Sequence, residues 1–395
     1  MRSIIPSERT RLAIIVWSVL VSQVLLYPGL DETVSALGGA DVAFAETLFL
    51  VTEFVAFVVF AVAWGTASDV LGRRTPLVVV GGAGGTLSYL AVVSAPSIGL
   101  GFEIVLLCRF LGGAFTIGAF SLSITMLMDL TGGHGQNMGV AGTAIGLGAA
   151  IGSVVGGQLA TITPLTPLYG GALLLALSAL LGMTIPDHTP ERGGDMSALF
   201  ERLRDKPVFA VPYAFGFIDR LTAGFFALTG VAFFRDTFAI DPAQAGLTLA
   251  LFFIPFALLQ YPAGLLSDSI GRFIPVVVGS IMYGLGIIAV GMAPSYLVGA
   301  TLMVVVGGFG ALVSPTTMAL VTDVAAATER GVAMGGFNVF GSLGMLSGFV
   351  LGGVLSTTAG YLPAFLAAGG LELLIAVIAA RPVLMLANQT APSSP

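Results

Sequence analysis

Five ionisable side chains sit where the sequence offers no water. Glu53, Arg109, Asp219, Arg220 and Glu372 each fall well inside a long apolar stretch. A charged side chain at the centre of a hydrocarbon layer costs about 2.5–3.5 kcal/mol on insertion scales, so each needs a partner, a wet cavity or a change of charge. Two kinds of chemistry meet that need: a carboxylate and a guanidinium form a structural ion pair, or an acid takes up and releases a proton as its surroundings change. Glu53 and Arg109 are matched in depth, each roughly 10 residues into its apolar run, about 15 Å at helical rise. Glu46 shares the face of Glu53 but lies near the end of the run. Asp219 and Arg220 point about 100° apart on a helix and need not pair with each other. Glu372 has no basic residue close in sequence. The first apolar run has no mid-span acid, and Gln23 and Tyr27 are its main polar groups.

A second constellation occurs twice. Gly65-Thr66-Ala67-Ser68-Asp69-Val70-Leu71-Gly72-Arg73-Arg74 returns as Gly264-Leu265-Leu266-Ser267-Asp268-Ser269-Ile270-Gly271-Arg272. The offsets agree without a gap: 264 − 65 = 199, 268 − 69 = 199 and 272 − 73 = 199. A period near half the chain length means two similar halves. Each copy reads as a short polar hinge between two apolar segments. The first glycine lets a neighbouring helix approach, and the aspartate sits one turn further on. The next glycine permits the positive φ of a tight turn, and the arginine beside it reaches back to a carboxylate or a helix end.

The elements that must hold these groups are membrane helices. Of 395 residues 56% are hydrophobic and 9% charged, against about 25% charged in soluble domains. Leu12–Leu30, with 19 residues, exceeds a signal-peptide core and reads as an uncleaved first span, followed by an acidic loop from Asp31 to Asp41. Further spans are expected near 42–64, 76–94, 101–128, 138–161 and 168–185. The polar stretch Asp187–Pro207 separates the halves, with a short surface helix at Met196–Leu203. The second half repeats the pattern near 208–234, 243–266, 274–293, 296–320, 332–356 and 361–380. The count is twelve, in bundles of six: residues 1–186, a linker 187–207, and 208–395. With both termini cytoplasmic, Arg2, Arg9, Arg11, Arg73, Arg74, Arg192, Arg202, Arg204, Lys206, Arg272, Arg330 and Arg381 all face inside, twelve of the fifteen basic residues, as the positive-inside bias requires. Pro28, Pro212, Pro255, Pro262 and Pro315 break or kink spans.

Other chemistries find no support. Cys108 is alone, which excludes an intramolecular disulfide. His134 and His188 lie 54 positions apart in expected loops and do not make a metal pair. No G-x-x-x-x-G-K-[ST] for nucleotide use, no nucleophile–base set and no basic-aromatic tract for nucleic acid is present. The reading is of a protein that is not an enzyme and needs no metal or other cofactor.

The paired G-x-x-x-D-x-x-G-R stretches resemble the signature loop of the major facilitator superfamily, where it follows the second and eighth spans. Arg109-Phe110-Leu111-Gly112-Gly113 resembles that family's R-x-x-x-G motif. Gly148-x-x-x-Gly152-Ser153-x-x-Gly156-Gly157 and its counterpart Gly344-x-x-x-Gly348-Phe349-x-x-Gly352-Gly353 resemble the glycine-rich fifth-helix motif of its drug–proton antiporters. Ser153 replaces that motif's proline, and glycines four apart also serve ordinary helix packing. The resemblance implies an all-α membrane protein: twelve transmembrane helices in two pseudo-symmetric six-helix bundles around a central cavity. It implies a cytoplasmic gate at Gly65, Asp69, Gly72, Arg73, Arg74, Gly264, Asp268, Gly271 and Arg272, with Asp69 near Gly331–Gly335 when the gate is closed. Coupling or cavity residues would be Gln23, Tyr27, Glu53, Arg109, Asp219, Arg220 and Glu372. The function implied is secondary active transport by a monomer in the plasma membrane, with a small solute, protons and the lipid bilayer as partners. Proton-linked export of a lipophilic or drug-like compound stands first; the alternatives are a symporter or uniporter for a sugar, organic acid or other metabolite, and a non-transporting sensor of the same fold.

Overall fold

The computed structural model describes residues 7–130, 134–187, 207–325 and 330–390. The expected helix at Met196–Leu203 lies outside these residues. Among the described residues there are helices and connections and no strand. In chain order the helices are α1 (Glu8–Val24), α2 (Leu30–Ala36), α3 (Val42–Leu71), α4 (Thr75–Ser94), α5 (Phe102–Asp129), α6 (His134–Ala160) and α7 (Thr166–Gly182). They continue as α8 (Ala210–Phe225), α9 (Val231–Phe238), α10 (Pro242–Ile270), α11 (Gly279–Gly291), α12 (Tyr296–Val324), α13 (Arg330–Thr358) and α14 (Tyr361–Thr390). Eleven helical segments among the described residues are long and apolar enough to cross a membrane; α7 is apolar but shorter, at 17 residues.

Two expectations about the spans are corrected. The first span is not followed by an acidic loop from Asp31. It starts at Glu8, where the Ser7 hydroxyl accepts from the Thr10 N–H at 3.3 Å. It breaks in a 3₁₀ turn at Tyr27–Gly29 and resumes as α2. Pro28 brings no N–H to the ladder, and Asp31 and Glu32 fall in the first turn of α2, where carboxylates favour the helix dipole. The acids that read as a loop therefore start a helix.

The second correction concerns the repeated polar stretch. Gly65–Leu71 and Gly264–Ile270 continue α3 and α10 rather than forming hinges, and the chain turns only at Gly72 (φ 60°) and Gly271 (φ 83°). Those φ values belong to the left-handed region that glycine reaches without strain. A helix needs only its i→i−4 bonds to continue, and no residue within Gly65–Leu71 or Gly264–Ile270 lacks an N–H. The span α8–α9 is likewise interrupted, by a π-helical turn at Phe226–Gly230, and a second π turn at Ile274–Val278 leads into α11. Pro255, Pro262 and Pro315 remain inside α10 and α12, a tolerance that neighbouring membrane helices provide.

The chain divides into two compact units: Met1–Gly194 with Ile240–Ala250, and Asp195–Ala239 with Leu251–Pro395. In the first unit, α4 packs on α5 where a Cβ on Gly81 would stand 2.6 Å from the Ala119 nitrogen. A Cβ on Gly156 of α6 would overlap the Leu25 carbonyl oxygen. In the second unit, Gly344 and Gly348 of α13 do the same to the carbonyls of Phe217 and Leu221 in α8. Small residues here allow the backbones to approach closely enough for dispersion contacts to hold helices together without a hydrophobic driving force.

Candidate functional site

In the first unit, one acid and one base meet in a dry interior. Arg109 of α5 forms an ion pair with Glu53 of α3 through Nη2 and Oε2, and both residues are fully buried. The arginine and the glycine four residues later both address the same residue. A Cβ on Gly113 would stand 2.5 Å from the carbonyl oxygen of Glu53 and 3.1 Å from its Cα. The R-x-x-x-G spacing thus brings the α3 backbone against α5 at the level where the guanidinium needs its partner. The guanidinium carbon also lies 4.6 Å from the Phe49 ring centroid and 5.0 Å from that of Tyr89. Cation–π contact of this kind offsets part of the desolvation cost. Tyr89 in turn donates to the Ser22 carbonyl at 3.1 Å, tying α4 to α1.

The pair is not saturated. Oε1 of Glu53 and Nε and Nη1 of Arg109 have no hydrogen-bond partner among the described residues. Tyr27, buried at the 3₁₀ turn, lies within electrostatic reach of both charges. Gln23 is buried in the last turn of α1. Neither the rings of Phe49 and Tyr89 nor the Ser22 carbonyl was legible as a neighbour of Arg109. The only signal was a tyrosine inside the glycine-rich run that became α4.

The second unit holds Asp219 in α8 and Glu372 in α14, both buried, with Tyr283 of α11 within electrostatic reach of each. Arg220 interacts with Asp219 electrostatically, and its stem lies along α13, where a Cβ on Gly341 would meet its Cγ at 3.2 Å. The structure therefore gathers Glu53, Arg109 and Tyr27 in one cluster and Asp219, Arg220 and Glu372 in another. Among the described residues no set of three or more His, Cys, Asp or Glu side chains converges as a metal site.

The repeated stretches end in charge clusters of different wiring. In the second copy, Arg272 reaches Asp268 at 2.6 Å, Asp323 at 2.9 Å and the Ser267 hydroxyl at 2.7 Å. Burial by itself would lower the Arg272 pKa, but the carboxylates of Asp323 and Asp268 outweigh it and raise it. In the first copy Arg74, not Arg73, makes the equivalent reach, to Asp129 at the end of α5. The Arg74 and Thr75 N–H groups both donate to Asp187 Oδ2, at 2.9 and 3.0 Å. That carboxylate satisfies two of the free donors at the start of α4. Arg73 is exposed. Gly65 lies within α3, and a Cβ on Gly264 would meet open space. The side chains of Asp69 and of residues 331–332 are not among the described ones.

The glycine stripes pack as stripes. Gly148 and Gly152 lie against Trp17, Leu20, Val21 and Val24 of α1, and Gly157 faces the Pro242 carbonyl within the first unit. Gly352 faces the Thr229 hydroxyl at the π turn, and the Gly353 carbonyl accepts from Thr357 at 2.8 Å.

Comparison with known proteins gives a consistent result. The profile of the Major Facilitator Superfamily matches residues 12–234 and 215–391. The class G tetracycline resistance protein of Vibrio anguillarum is 26% identical over 311 residues, covering 74% of this chain and 75% of that protein. Among solved structures, the human organic anion transporter MFSD10 (TETRAN) superposes with a TM-score of 0.70 at 19% identity, over 95% of this chain and 100% of that one. The D-xylose–proton symporter superposes with a TM-score of 0.71 at 15% identity, over 98% and 99%. At these identities the two structures establish the shared fold.

Proposed function

The chain belongs to the major facilitator superfamily and is a multi-pass membrane transporter of a small molecule, and from that premise we propose that it exports a lipophilic or drug-like compound in exchange for protons. The observation that carries the proposal is the sealed Glu53–Arg109 pair. While the two are together, the guanidinium keeps the carboxylate charged. When the transport cycle parts them, the carboxyl is left without its cation in a dry site and takes up a proton. One proton then moves per opening and closing of the pair, provided the two states face opposite sides of the membrane. The oxygen and two nitrogens left unpaired support a contact that exists to be broken. Export rather than import draws on the similarity to the tetracycline resistance protein.

The proposed architecture is twelve spans in two bundles, 1–186 and 208–395, joined by a cytoplasmic linker 187–207 in a monomer of the plasma membrane. The gate would be cytoplasmic, at Gly65–Arg74 and Gly264–Arg272, where Asp323 and Asp129 fix the arginines. A second reading, proton-linked uptake of a metabolite, is supported by the fold shared with the D-xylose–proton symporter. Two measurements separate them. A thermal-stabilisation screen of purified protein at two pH values, against cationic and neutral drugs and against sugars and organic acids, identifies the class bound. Flux of the best ligand into inside-out vesicles under an imposed pH gradient gives the direction. Export predicts drug accumulation in vesicles acidified inside; binding of sugars alone, with no such accumulation, would overturn it.

A further inference from the structure

The second unit buries more unpaired oxygen than packing requires. Glu372 is fully buried, and neither of its carboxylate oxygens has a hydrogen-bond partner among the described residues. The same is true of the Ser280 and Thr222 hydroxyls and the Tyr283 phenol, each at 0% exposure. These atoms converge. Ser280 and Gly284 of α11 lie one turn apart, and a Cβ on Gly284 would meet the Glu372 Cβ at 3.2 Å. Ser280 faces the Glu372 carboxylate. Tyr283, on the same face of α11, carries its hydroxyl toward α12, 3.3 Å from where a Cβ on Gly310 would stand, and toward Thr222 of α8. Ser314, one turn beyond Gly310, faces Asp219, one turn before Thr222. Four helices of one unit therefore aim oxygens into one region.

Many helical Ser and Thr hydroxyls of this chain donate to a carbonyl one turn back, as Ser22 does to Val19 at 2.7 Å, Thr116 to Gly112 at 2.9 Å and Thr317 to Val313 at 2.8 Å, while Ser121, Ser123 and Thr229 do not. Ser280 and Thr222 likewise do not. Leaving a buried polar group unpaired is costly, and a set of them around a carboxylate has the lone pairs to ligate a cation. All the donors are oxygen, the preference of hard cations. With both carboxyls ionised, Asp219 and Glu372 would carry two negative charges against the one positive charge of Arg220, beside Asp219, so a single monovalent cation would balance the site.

We propose that Glu372, Ser280, Tyr283, Thr222 and Asp219 form a binding site for one sodium ion in the second unit, separate from the Glu53–Arg109 pair. The ion would sit between α8, α11 and α14 and stabilise their packing, so that sodium selects the conformation in which these helices are together.

The test is thermal unfolding of the full-length purified protein, with sodium chloride titrated against potassium and choline chloride at fixed pH and ionic strength. Wild type should show an unfolding midpoint that rises and saturates with sodium alone. Ser280→Ala should require about tenfold more sodium for half the effect, the loss expected for one charge-assisted ligand, and Glu372→Gln should abolish it. Should Glu372→Gln fail to fold, Tyr283→Phe and Ser280→Ala decide the matter. Equal effects of the three salts, a sodium response that survives at all these positions, or a midpoint that follows pH and ignores sodium would overturn the proposal; in the last case the cluster holds a proton instead. The measurement involves no transport, so its failure would leave proton-linked export untouched.

Discussion

Removing Arg109 should destabilise the protein mainly through what it leaves behind. In Arg109→Ala the Glu53 carboxylate stays buried between α3 and α5 with no cation, at a cost of about 3–5 kcal/mol for stranding one member of a buried pair. The rings of Phe49 and Tyr89, 4.6 and 5.0 Å from the guanidinium carbon, lose a cation–π contact of about 0.5–2 kcal/mol. Adding Glu53→Gln removes the stranded charge and leaves an unpaired amide, which costs about 1–3 kcal/mol. The double variant should therefore regain about 2 kcal/mol over Arg109→Ala, although neither transports. The assay is the fraction of monodisperse protein surviving a heating series in detergent. The double variant should melt at a higher temperature than Arg109→Ala. A double variant that melts no higher would refute the reasoning, because Glu53 would then not be the charge that Arg109 serves.

Gly113→Ala should separate α3 from α5, since its Cβ would press on the Glu53 backbone, costing about 1–3 kcal/mol as overpacking does. Gly370→Ala, which meets open space, should cost nothing in the same melting assay. Asp187→Ala removes the acceptor for two N–H groups at the start of α4 and should lower stability by about 0.5–2 kcal/mol, read as a lower unfolding midpoint. Asp323→Asn should change stability by no more than about 1 kcal/mol, because the Arg272 pair is partly exposed. If the gate lies there, it should still raise labelling of cysteines placed on the cytoplasmic face, as should Asp69→Asn; unchanged labelling in both would count against the gate.

What the sequence made legible was whatever its own spacing could encode. The 199-residue repeat marked two stretches whose helices both end at a positive-φ glycine, and equal depth in two apolar runs singled out Glu53 for Arg109, because rise per residue is constant along a helix. The surroundings of the pair were hidden: Phe49 is one turn from Glu53, but Tyr89 and Ser22 come from helices whose packing no local pattern specifies. Glu372 was readable as a buried acid, yet Ser280 and Tyr283 lie some 90 residues away in sequence (372 − 283 = 89) and look like filler in a glycine-rich span. The helix at Leu30–Ala36 and the continuation of α3 through Leu71 were misread for one reason. Polar residues at a membrane boundary suit a helix end as well as a loop, and only the backbone bonds decide.

The central claim, that the Glu53–Arg109 pair couples solute movement to protons, meets its most direct test in sealed proteoliposomes carrying wild type or Glu53→Gln, using a ligand identified by the stabilisation screen. Uphill movement of that ligand should follow an imposed pH gradient in wild type. In Glu53→Gln the account predicts that uphill movement is lost while ligand binding persists. A Glu53→Gln protein that still concentrates the ligand in response to the pH gradient would contradict it.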